Sequence, residues 1–380
     1  MKGTDVFSKQ HAQIALPPRN LGSYRGIIGY LEGSLVASRN TMLTASRTLD
    51  FILSYTMTLA NATAVQQVDS HTYSANFQDG WTIGTVPHGG YVTATFQQVV
   101  RKHFETTLRK QQQPHTITLH LDFLRRTQLG PATFKVIDKK LGRQTSIVHV
   151  TLTQDDREEV VGYITNSNIE KEDGASFPTG WNITPPPPPE NVSKLDTDTD
   201  VIWGERAEMP FADFRGATKQ IRTWFPRQGQ HELSIVDMWT CLKEPSSRFT
   251  NESLGFVADM FPQIIENHTL GFDCYSVEFE RQNSKEQQKK LMKGKATMWY
   301  PTLLLNLDVK KALPAEGVKF LFVRVQSKMI KNGRYDLEII IKDAEGDLVA
   351  LSHHVVLAVS AERNTAARRK VGSECAEAKL

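Results

Sequence analysis

The sequence has few cysteines, no long apolar run and almost no charge imbalance. Three cysteines, at positions 241, 274 and 375, are too few and too far apart for a disulfide framework or a paired-cysteine metal site, and they fit a reducing compartment. No apolar stretch reaches the roughly 18 residues of a transmembrane helix. A net charge of +3 gives no indication of nucleic-acid binding. The composition and the length of 380 residues predict a globular protein of about two domains or one large one.

Familiar catalytic motifs are missing as well. The chain has no GxSxG elbow, no GxGxxG or GxxxxGK[ST] phosphate loop, and no HExxH zinc motif. The usual serine-hydrolase, nucleotide-binding and zinc-protease signatures are therefore excluded. What remains must be inferred from the organisation of the chain.

Both ends differ from the body of the chain. Residues 1–56 are rich in arginine and serine without sustained periodicity, which predicts a disordered extension, with an upstream start codon or a mitochondrial transit peptide as alternatives. Residues 361–380 are expected to form a flexible tail that ends in Ala378-Lys379-Leu380, a variant of the S-K-L peroxisomal signal. We therefore expect a peroxisomal protein that binds an import receptor, with the cytoplasm or the mitochondrion as the alternatives.

The body of the chain contains an internal repeat. Gly142-Arg143 and Gly333-Arg334 each open an alternating apolar run, a polar turn and a second run, which predicts two similar hairpins. In each half an alternating strand precedes the hairpin. Apolar residues at helical spacing lie further upstream, after Gly89-Gly90 in the first half and from Leu254 in the second. Each half therefore predicts one helix followed by long antiparallel strands.

These units define the expected domains. The N-terminal unit spans residues 57–168 and the C-terminal unit 201–360, and the Pro-rich, acidic segment 169–200 between them predicts a stiff, extended, solvated linker. One helix covers one face of a curved sheet. The fold class is thus α+β, a double hotdog with two curved antiparallel sheets, each wrapped around one long helix. Placed side by side, the two units are expected to form one continuous sheet with both helices on the same side.

Four segments resemble a known family. Residues 87–91 (PHGGY) and 120–131 (HLDFLRRTQLGP) resemble the first hotdog of acyl-CoA thioesterase II-like proteins. Residues 299–307 (WYPTLLLNL) and 347–354 (DLVALSHH) resemble the fungal-type branch of the thioesterase-like superfamily. The resemblance implies hydrolysis of an acyl thioester to a free acid and a thiol. It also implies no metal or other cofactor and an assembly of at least two copies.

The resemblance also implies a catalytic set. In that family an aspartate on the second hotdog helix, a threonine or serine on a nearby strand and a glutamine on the last strand position the attacking water. The first two positions fall on Asp259 and Thr302, and the glutamine position falls on His354, where this chain departs from the family. Apolar neighbours predict a semi-buried Asp259, which suits a general base. Each residue also has an ordinary interpretation, as an exposed aspartate, a strand threonine and a packed core histidine.

The segment that opens the first helix is the predicted substrate-binding site. It comprises His88, Gly89, Gly90 and Tyr91. Free backbone N–H groups of the two glycines at a helix N-terminus favour a thioester oxygen or a phosphate. Alternatively, the glycines permit close helix packing and His88 caps the turn.

The sequence thus predicts an acyl-CoA thioesterase-like hydrolase. One alternative is a hotdog protein that binds acyl groups without hydrolysing them, which the histidine at position 354 favours. The others are a biosynthetic thioesterase that acts on a carrier-bound acyl chain, and a hotdog dehydratase, for which His88 offers a base without a recognisable acid partner.

Overall fold

The computed structural model describes residues 58–292 and 298–367. The predicted extension over residues 1–56 and the C-terminal tripeptide lie outside these ranges, and both stay predictions. None of the helices in the described ranges combines the length and hydrophobicity of a membrane-crossing segment.

The first half has one long helix and several long strands. Its elements in chain order are α1 (Leu59–Ala62), β1 (Gln66–Gln67), β2 (Thr72–Phe77), β3 (Thr82–Ile83), β4 (Val86–Pro87), α2 (Gly89–Glu105), β5 (His115–Phe123), β6 (Gly130–Leu141), β7 (Ser146–Gln154) and β8 (Arg157–Ser167). Helix α2 begins at the predicted residue and buries most of its side chains, because the strands of this half pack around it.

The second half has a similar set of strands and shorter helices. After the connecting segment, with α3 (Val192–Leu195), come β9 (Trp203–Arg206), β10 (Ile221–Pro226), β11 (Ile235–Leu242), α4 (Leu254–Asp259), α5 (Ile264–Leu270), α6 (Val277–Gln282), α7 (Lys285–Met292), β12 (Met298–Trp299), β13 (Thr302–Val309), β14 (Leu321–Gln326), β15 (Ile330–Lys331), β16 (Arg334–Lys342), β17 (Leu348–Leu357), β18 (Val359–Ser360) and α8 (Glu362–Thr365). The predicted hairpins are present as β7–β8 and β16–β17.

One continuous antiparallel sheet joins the two halves. Across the described residues its strand order is β1-β2-β6-β7-β8-β5-β13-β17-β16-β14-β11-β10-β9, with β15 paired to β16. The junction is the antiparallel pairing of β5 with β13, in which Leu121 lies opposite Leu305. The two curved sheets expected from the sequence are therefore joined into one, as their side-by-side placement predicted, because the inner edge of each half pairs with the other half instead of remaining unpaired.

The expectation of a long helix in the second half is also wrong. Helix α4 has six residues and ends at Asp259, although the apolar spacing continues to Ile264. Pro262 explains the early end, since proline lacks the N–H needed for helical bonding and disfavours a helical conformation at the preceding residue. The chain resumes helical structure only at α5.

The composition of the connecting segment predicted a solvated linker, but the segment is not wholly solvated. Ile183 and Leu195 are buried in a second apolar cluster, together with the tryptophans of β9, β10 and β11. The Trp203 indole N–H donates to the Pro189 carbonyl at 3.1 Å. The segment therefore covers the outer face of the second half of the sheet.

Candidate active site

Asp259 lies at the centre of a cluster of polar side chains that come from both halves. It is the last residue of α4, and only 7% of its surface is exposed. The residues before it on α4 are all buried in the core, so the helix fixes the direction in which the carboxylate leaves the backbone. The predicted semi-buried aspartate is confirmed.

His88 approaches one carboxylate oxygen from the first half. It is the N-cap of α2, and its Nδ1 accepts the Gly90 backbone N–H at 3.2 Å. A neutral ring with this bond carries its proton on Nε2, which lies 3.5 Å from Oδ2 of Asp259. Burial lowers the pKa of His88, and the nearby carboxylate only partly offsets this effect. His88 therefore caps its helix and also faces the carboxylate.

Two strand residues approach the other carboxylate oxygen. The hydroxyl of Thr302, the first residue of β13, donates to Oδ1 of Asp259 at 3.3 Å. The Nδ1 atom of His354, on β17, lies 3.5 Å from the same oxygen. The three predicted catalytic residues are thus brought together, although 43 positions separate Asp259 from Thr302 in the sequence.

The protonation of His354 follows from its second ring nitrogen. The Ser352 hydroxyl donates to the Asn306 carbonyl, so its oxygen is left to accept from Nε2 of His354 at 3.0 Å. A neutral ring then presents an unprotonated Nδ1 to the site. Complete burial lowers the pKa of His354 to about 4, with a partial opposing effect from Asp259, so this ring is neutral near pH 7.

Three glycines let α2 and α4 approach each other at the site. A Cβ atom on Gly89 would lie 2.7 Å from Oδ2 of Asp259, and one on Gly90 would lie 2.8 Å from the Phe256 carbonyl oxygen. On the facing helix, a Cβ atom on Gly255 would lie 2.4 Å from the Thr93 methyl group. The alternative interpretation of the two glycines as packing residues is therefore confirmed.

A cavity of about 250 Å³ opens beside the carboxylate. His88, Gly89, Asp259 and Thr302 line it, whereas His354 is fully buried behind them. Its other walls are mainly apolar, as an acyl chain requires: Ile83, Val86, Phe123, Met209, Phe214, Met260, Phe261, Met298, Trp299, Tyr300, Leu303, Leu337 and Val356.

Tyr91 and Gly90 do not reach this cavity. The Tyr91 hydroxyl donates to the Ala62 carbonyl at 2.8 Å, and burial raises the pKa of the phenol to about 12. The Gly90 N–H is used by the His88 ring. Of the four predicted substrate-binding residues, the structure places only His88 and Gly89 at the cavity, and Tyr91 instead holds α2 against α1.

Sequence reasoning missed several polar residues of the cavity. Arg125 and Arg126 stand at its wall within the 120–131 motif, but nothing in the motif indicated their position. Gln263 also lines the cavity, and its side-chain oxygen accepts the Tyr335 hydroxyl at 2.7 Å. Its position after Pro262, in the break between α4 and α5, was the signal that could have identified it.

Comparisons with known proteins find matches to both halves of the chain. Residues 77–167 match the family model described as the acyl-CoA thioesterase N-terminal domain, and residues 188–358 match the corresponding C-terminal domain. The chain is 36% identical over 338 residues to the thioesterase-like protein TwmA of Talaromyces wortmannii, covering 83% of this chain and 95% of that protein.

Solved structures share the fold at low sequence identity. A protein assigned as a thioesterase II from Thermobifida fusca has a TM-score of 0.58 at 19% identity, covering 80% of this chain and 98% of that one. A hot dog fold protein of unknown function from Alicyclobacillus acidocaldarius has a TM-score of 0.58 at 14% identity, with the same coverage. The predicted hotdog fold is confirmed by this similarity.

Proposed function

The chain belongs to the acyl-CoA thioesterase family and is an acyl thioester hydrolase, and from that premise we propose that it hydrolyses acyl-CoA with Asp259 as the general base. The observation that carries the proposal is the buried carboxylate at the wall of an apolar cavity, held by a hydroxyl and faced by two histidines. Acyl thioester and water are converted to carboxylic acid and thiol.

In the proposed mechanism Asp259 takes a proton from the attacking water. Nε2–H of His88 and the Thr302 hydroxyl hold the carboxylate in place, while Oδ1 and the unprotonated Nδ1 of His354 each accept one hydrogen of the water. The water oxygen attacks the thioester carbon as one proton moves to Asp259. Collapse of the tetrahedral intermediate breaks the carbon–sulfur bond, and Asp259 returns the proton to the thiolate.

The Gly89 N–H is the proposed donor to the negative oxygen of that intermediate. Gly89 is the first residue of α2, so its N–H has no carbonyl one turn earlier in the helix, and it lines the cavity. The helix dipole adds partial positive charge at the same point. Because the neighbouring Gly90 N–H is used by His88, the oxyanion site is assigned to Gly89 alone.

Coenzyme A is the proposed carrier because cationic groups stand at the cavity wall. The Arg125 guanidinium donates to the Glu158 carbonyl, and that of Arg126 donates to carbonyls of the segment that follows β18. These partners are neutral, so the positive charges are left for phosphate groups. Arg125→Gln should raise KM for an acyl-CoA and leave KM unchanged for the N-acetylcysteamine thioester of the same acid, which has no phosphate. Equal changes for both substrates would argue against this phosphate contact.

Thiol release across a panel of acyl-CoA chain lengths tests the hydrolase directly. The purified full chain should release free thiol from at least one member of the panel, in a stoichiometric amount with free acid. Tight binding of several acyl-CoAs without any release would favour the non-hydrolytic alternative. Release only from a carrier-protein thioester would support the hydrolysis and replace coenzyme A by a carrier protein as the acyl carrier.

One observation favours a second candidate function, dehydration of a 3-hydroxyacyl thioester. The sequence offered no acid partner for His88, whereas Asp259 lies 3.5 Å from its Nε2. A histidine and a carboxylic acid at the same cavity wall can between them remove a proton and protonate the leaving hydroxyl. Incubation with 3-hydroxyacyl-CoA should give free thiol and 3-hydroxy acid for a hydrolase. The ultraviolet absorption of an enoyl thioester would identify a dehydratase.

We propose peroxisomal import from the tripeptide Ala378-Lys379-Leu380, and with it a role in fatty-acid metabolism. A fluorescent tag at the N-terminus should give a punctate peroxisomal signal in cells. Deletion of Leu380 should disperse it. A diffuse signal from the intact chain would remove the proposal.

We also propose that the protein assembles into at least a dimer, by analogy with its family. Sedimentation of the purified chain should give at least twice the mass of one chain. A monomer at all accessible concentrations would contradict this expectation without affecting the site, whose residues all belong to one chain.

A further inference from the structure

A group of potential metal ligands lies at the end of α2 remote from the active site. It consists of His71 in the turn before β2, His103 in the last turn of α2, and Asp138 on β6. His103 follows His88 by fifteen positions along the helix, which at the helical rise corresponds to about 22 Å. The cluster is therefore independent of the cavity.

Both imidazole rings direct Nε2 at the same carboxylate. Nε2 of His71 lies 3.3 Å from Oδ2 of Asp138, and Nε2 of His103 lies 2.9 Å from Oδ1. One ligand atom from each of the three residues lies within 4.8 Å of the others. Tetrahedral zinc ligands at about 2.0–2.2 Å from the metal are about 3.3–3.5 Å apart. The 3.3 Å separation matches that spacing, whereas the 2.9 Å separation is shorter and must widen when a cation enters.

Each ring is oriented by a hydroxyl group on its other nitrogen. Nδ1 of His103 lies 2.9 Å from the Tyr73 hydroxyl, and Nδ1 of His71 lies 2.9 Å from the Ser70 hydroxyl. Metal-bound histidines generally have such a partner on the nitrogen that does not bind the metal, because it fixes the ring and the tautomer. Here both histidines have one.

Binding of a divalent cation needs a change of tautomer in both rings. In the metal-free protein each Nε2–H donates to one oxygen of Asp138, and each Nδ1 accepts from a hydroxyl. Moving each ring proton to Nδ1 frees Nε2 for the metal, and the hydroxyls turn from donors into acceptors. The Tyr73 hydroxyl can then direct its proton to the Ser70 carbonyl, 3.5 Å away.

Solvent reaches two of the three residues of the cluster. The His103 side chain is fully buried, whereas the side chains of Asp138 and His71 are 23% and 43% exposed. A cation therefore has an entry path, and a water molecule can supply a fourth ligand. Two imidazoles and one carboxylate form a nitrogen and oxygen set that suits zinc and its neighbours in the first transition row.

We propose that His71, His103 and Asp138 form a binding site for a single zinc-type divalent cation, which holds the C-terminal end of α2 against the edge formed by β2 and β6. Its three ligands come from three elements that are separate in sequence, so the cation acts as a cross-link in the folded chain. It is a structural site and takes no part in hydrolysis.

Titration of the metal-free full chain with Co²⁺ and Zn²⁺, after removal of any affinity tag, tests the site. Co²⁺ should produce a visible absorption band that saturates at one ion per chain, and Zn²⁺ should abolish this band and raise Tm. His71→Asn should remove the band. This variant changes the most exposed ligand, and circular dichroism shows whether it is folded. Tyr73→Phe removes only the partner of His103 and should weaken Co²⁺ binding by about 10- to 100-fold.

A matched control uses the second His–Asp pair of the same half. Nε2 of His120 lies 3.3 Å from Oδ2 of Asp122, and the His120 side chain is 40% exposed against 43% for His71. This pair is not part of the three-residue group of potential metal ligands. His120→Asn should therefore bind Co²⁺ like the wild type. No saturable binding to the wild type, or equal binding by the His71→Asn variant, would overturn the proposal and leave a purely hydrogen-bonded cluster.

Discussion

The outer face of the sheet is built differently in the two halves. Strand β7 of the first half alternates between buried and half-buried residues, as a sheet with one solvated face does. All eight residues of β11 in the second half are buried. The difference comes from the connecting segment, whose Ile183 and Leu195 cover the outer face with apolar contacts. The segment between the repeats is therefore a structural layer of the second half.

The inner faces differ in their helices. The first half keeps the long helix α2, and the second half replaces it with the short α4 and continues through α5, α6 and α7. The polar cluster lies where the long helix begins, at His88, and where the short helix ends, at Asp259. The two halves thus share the same set of strands. The differences between their helices position the Asp259 carboxylate and part of the cavity wall.

The buried ion pair under the connecting segment should have the largest effect on stability. Arg324 on β14 makes two hydrogen bonds of 2.6 Å to Asp237 on β11, and it also donates to the Pro185 carbonyl. Arg324→Leu leaves the Asp237 carboxylate buried without its partner, which should lower the free energy of unfolding by about 3–5 kcal/mol. Urea unfolding measures this loss.

The exposed pair of Lys328 and Glu338 provides the control for that measurement. Its side chains are 61% and 40% exposed, so Lys328→Met should cost less than about 1 kcal/mol. Similar losses for the two variants would mean that the connecting segment does not seal the outer face of the second half.

Acid should destabilise the protein through His354. Burial lowers its pKa in the folded chain to about 4, against about 6.5 in the unfolded chain. Between these values the unfolded chain binds a proton that the folded chain does not, so stability is present above pH 6.5 and is lost as the pH falls to about 4. The pKa difference corresponds to about 3 kcal/mol.

His354→Gln removes this titration and should flatten the fall in the free energy of unfolding between about pH 7 and pH 4. The measurement is the difference between the wild type and the variant across that range. The buried His88 is present in both proteins, so its contribution cancels. Parallel curves would show that His354 does not titrate as the structure implies.

Gly89→Ala tests the close approach of the two helices at the site. The added Cβ would lie 2.7 Å from Oδ2 of Asp259 and must displace the carboxylate. A displacement approaching 1 Å can cost about 100-fold, so kcat/KM should fall by about that factor while Tm changes little. Gly174→Ala is the control, because a Cβ there would meet no atom within 4 Å. Equal activity of the two variants would refute the proposed role of this contact.

His354→Gln should have the smallest effect on the reaction. The variant restores the residue type implied by the family resemblance, and its side-chain oxygen can accept the same hydrogen from water. Hydrolysis should stay within about tenfold of the wild type, or about 1.4 kcal/mol of barrier. Loss of all activity in this variant would instead make His354 the base.

The sequence predicted the fold class and the central residues of the site. It did not predict the details of strand pairing, helix length and cavity lining. Periodicity placed the strands, and the resemblance brought Asp259, Thr302 and His354 together. The continuous sheet was expected from the side-by-side placement of the two units, but its junction between β5 and β13 was not predictable, because edge pairing depends on contacts that no local pattern encodes. Tyr91 was misplaced because proximity along the chain does not determine which face of α2 a residue occupies. Pro262 could have predicted the early end of α4, but the apolar spacing that continues to Ile264 favoured a longer helix.

The most direct test of the central claim is thiol release by Asp259→Asn beside the wild type. The substitution keeps size and polarity and removes the basic oxygen, so kcat should fall by about 10²- to 10⁴-fold with little change in Tm. Asp156→Asn, in the exposed β7–β8 turn where asparagine is readily accommodated, should hydrolyse like the wild type. A folded Asp259→Asn variant that retains wild-type kcat would contradict the account.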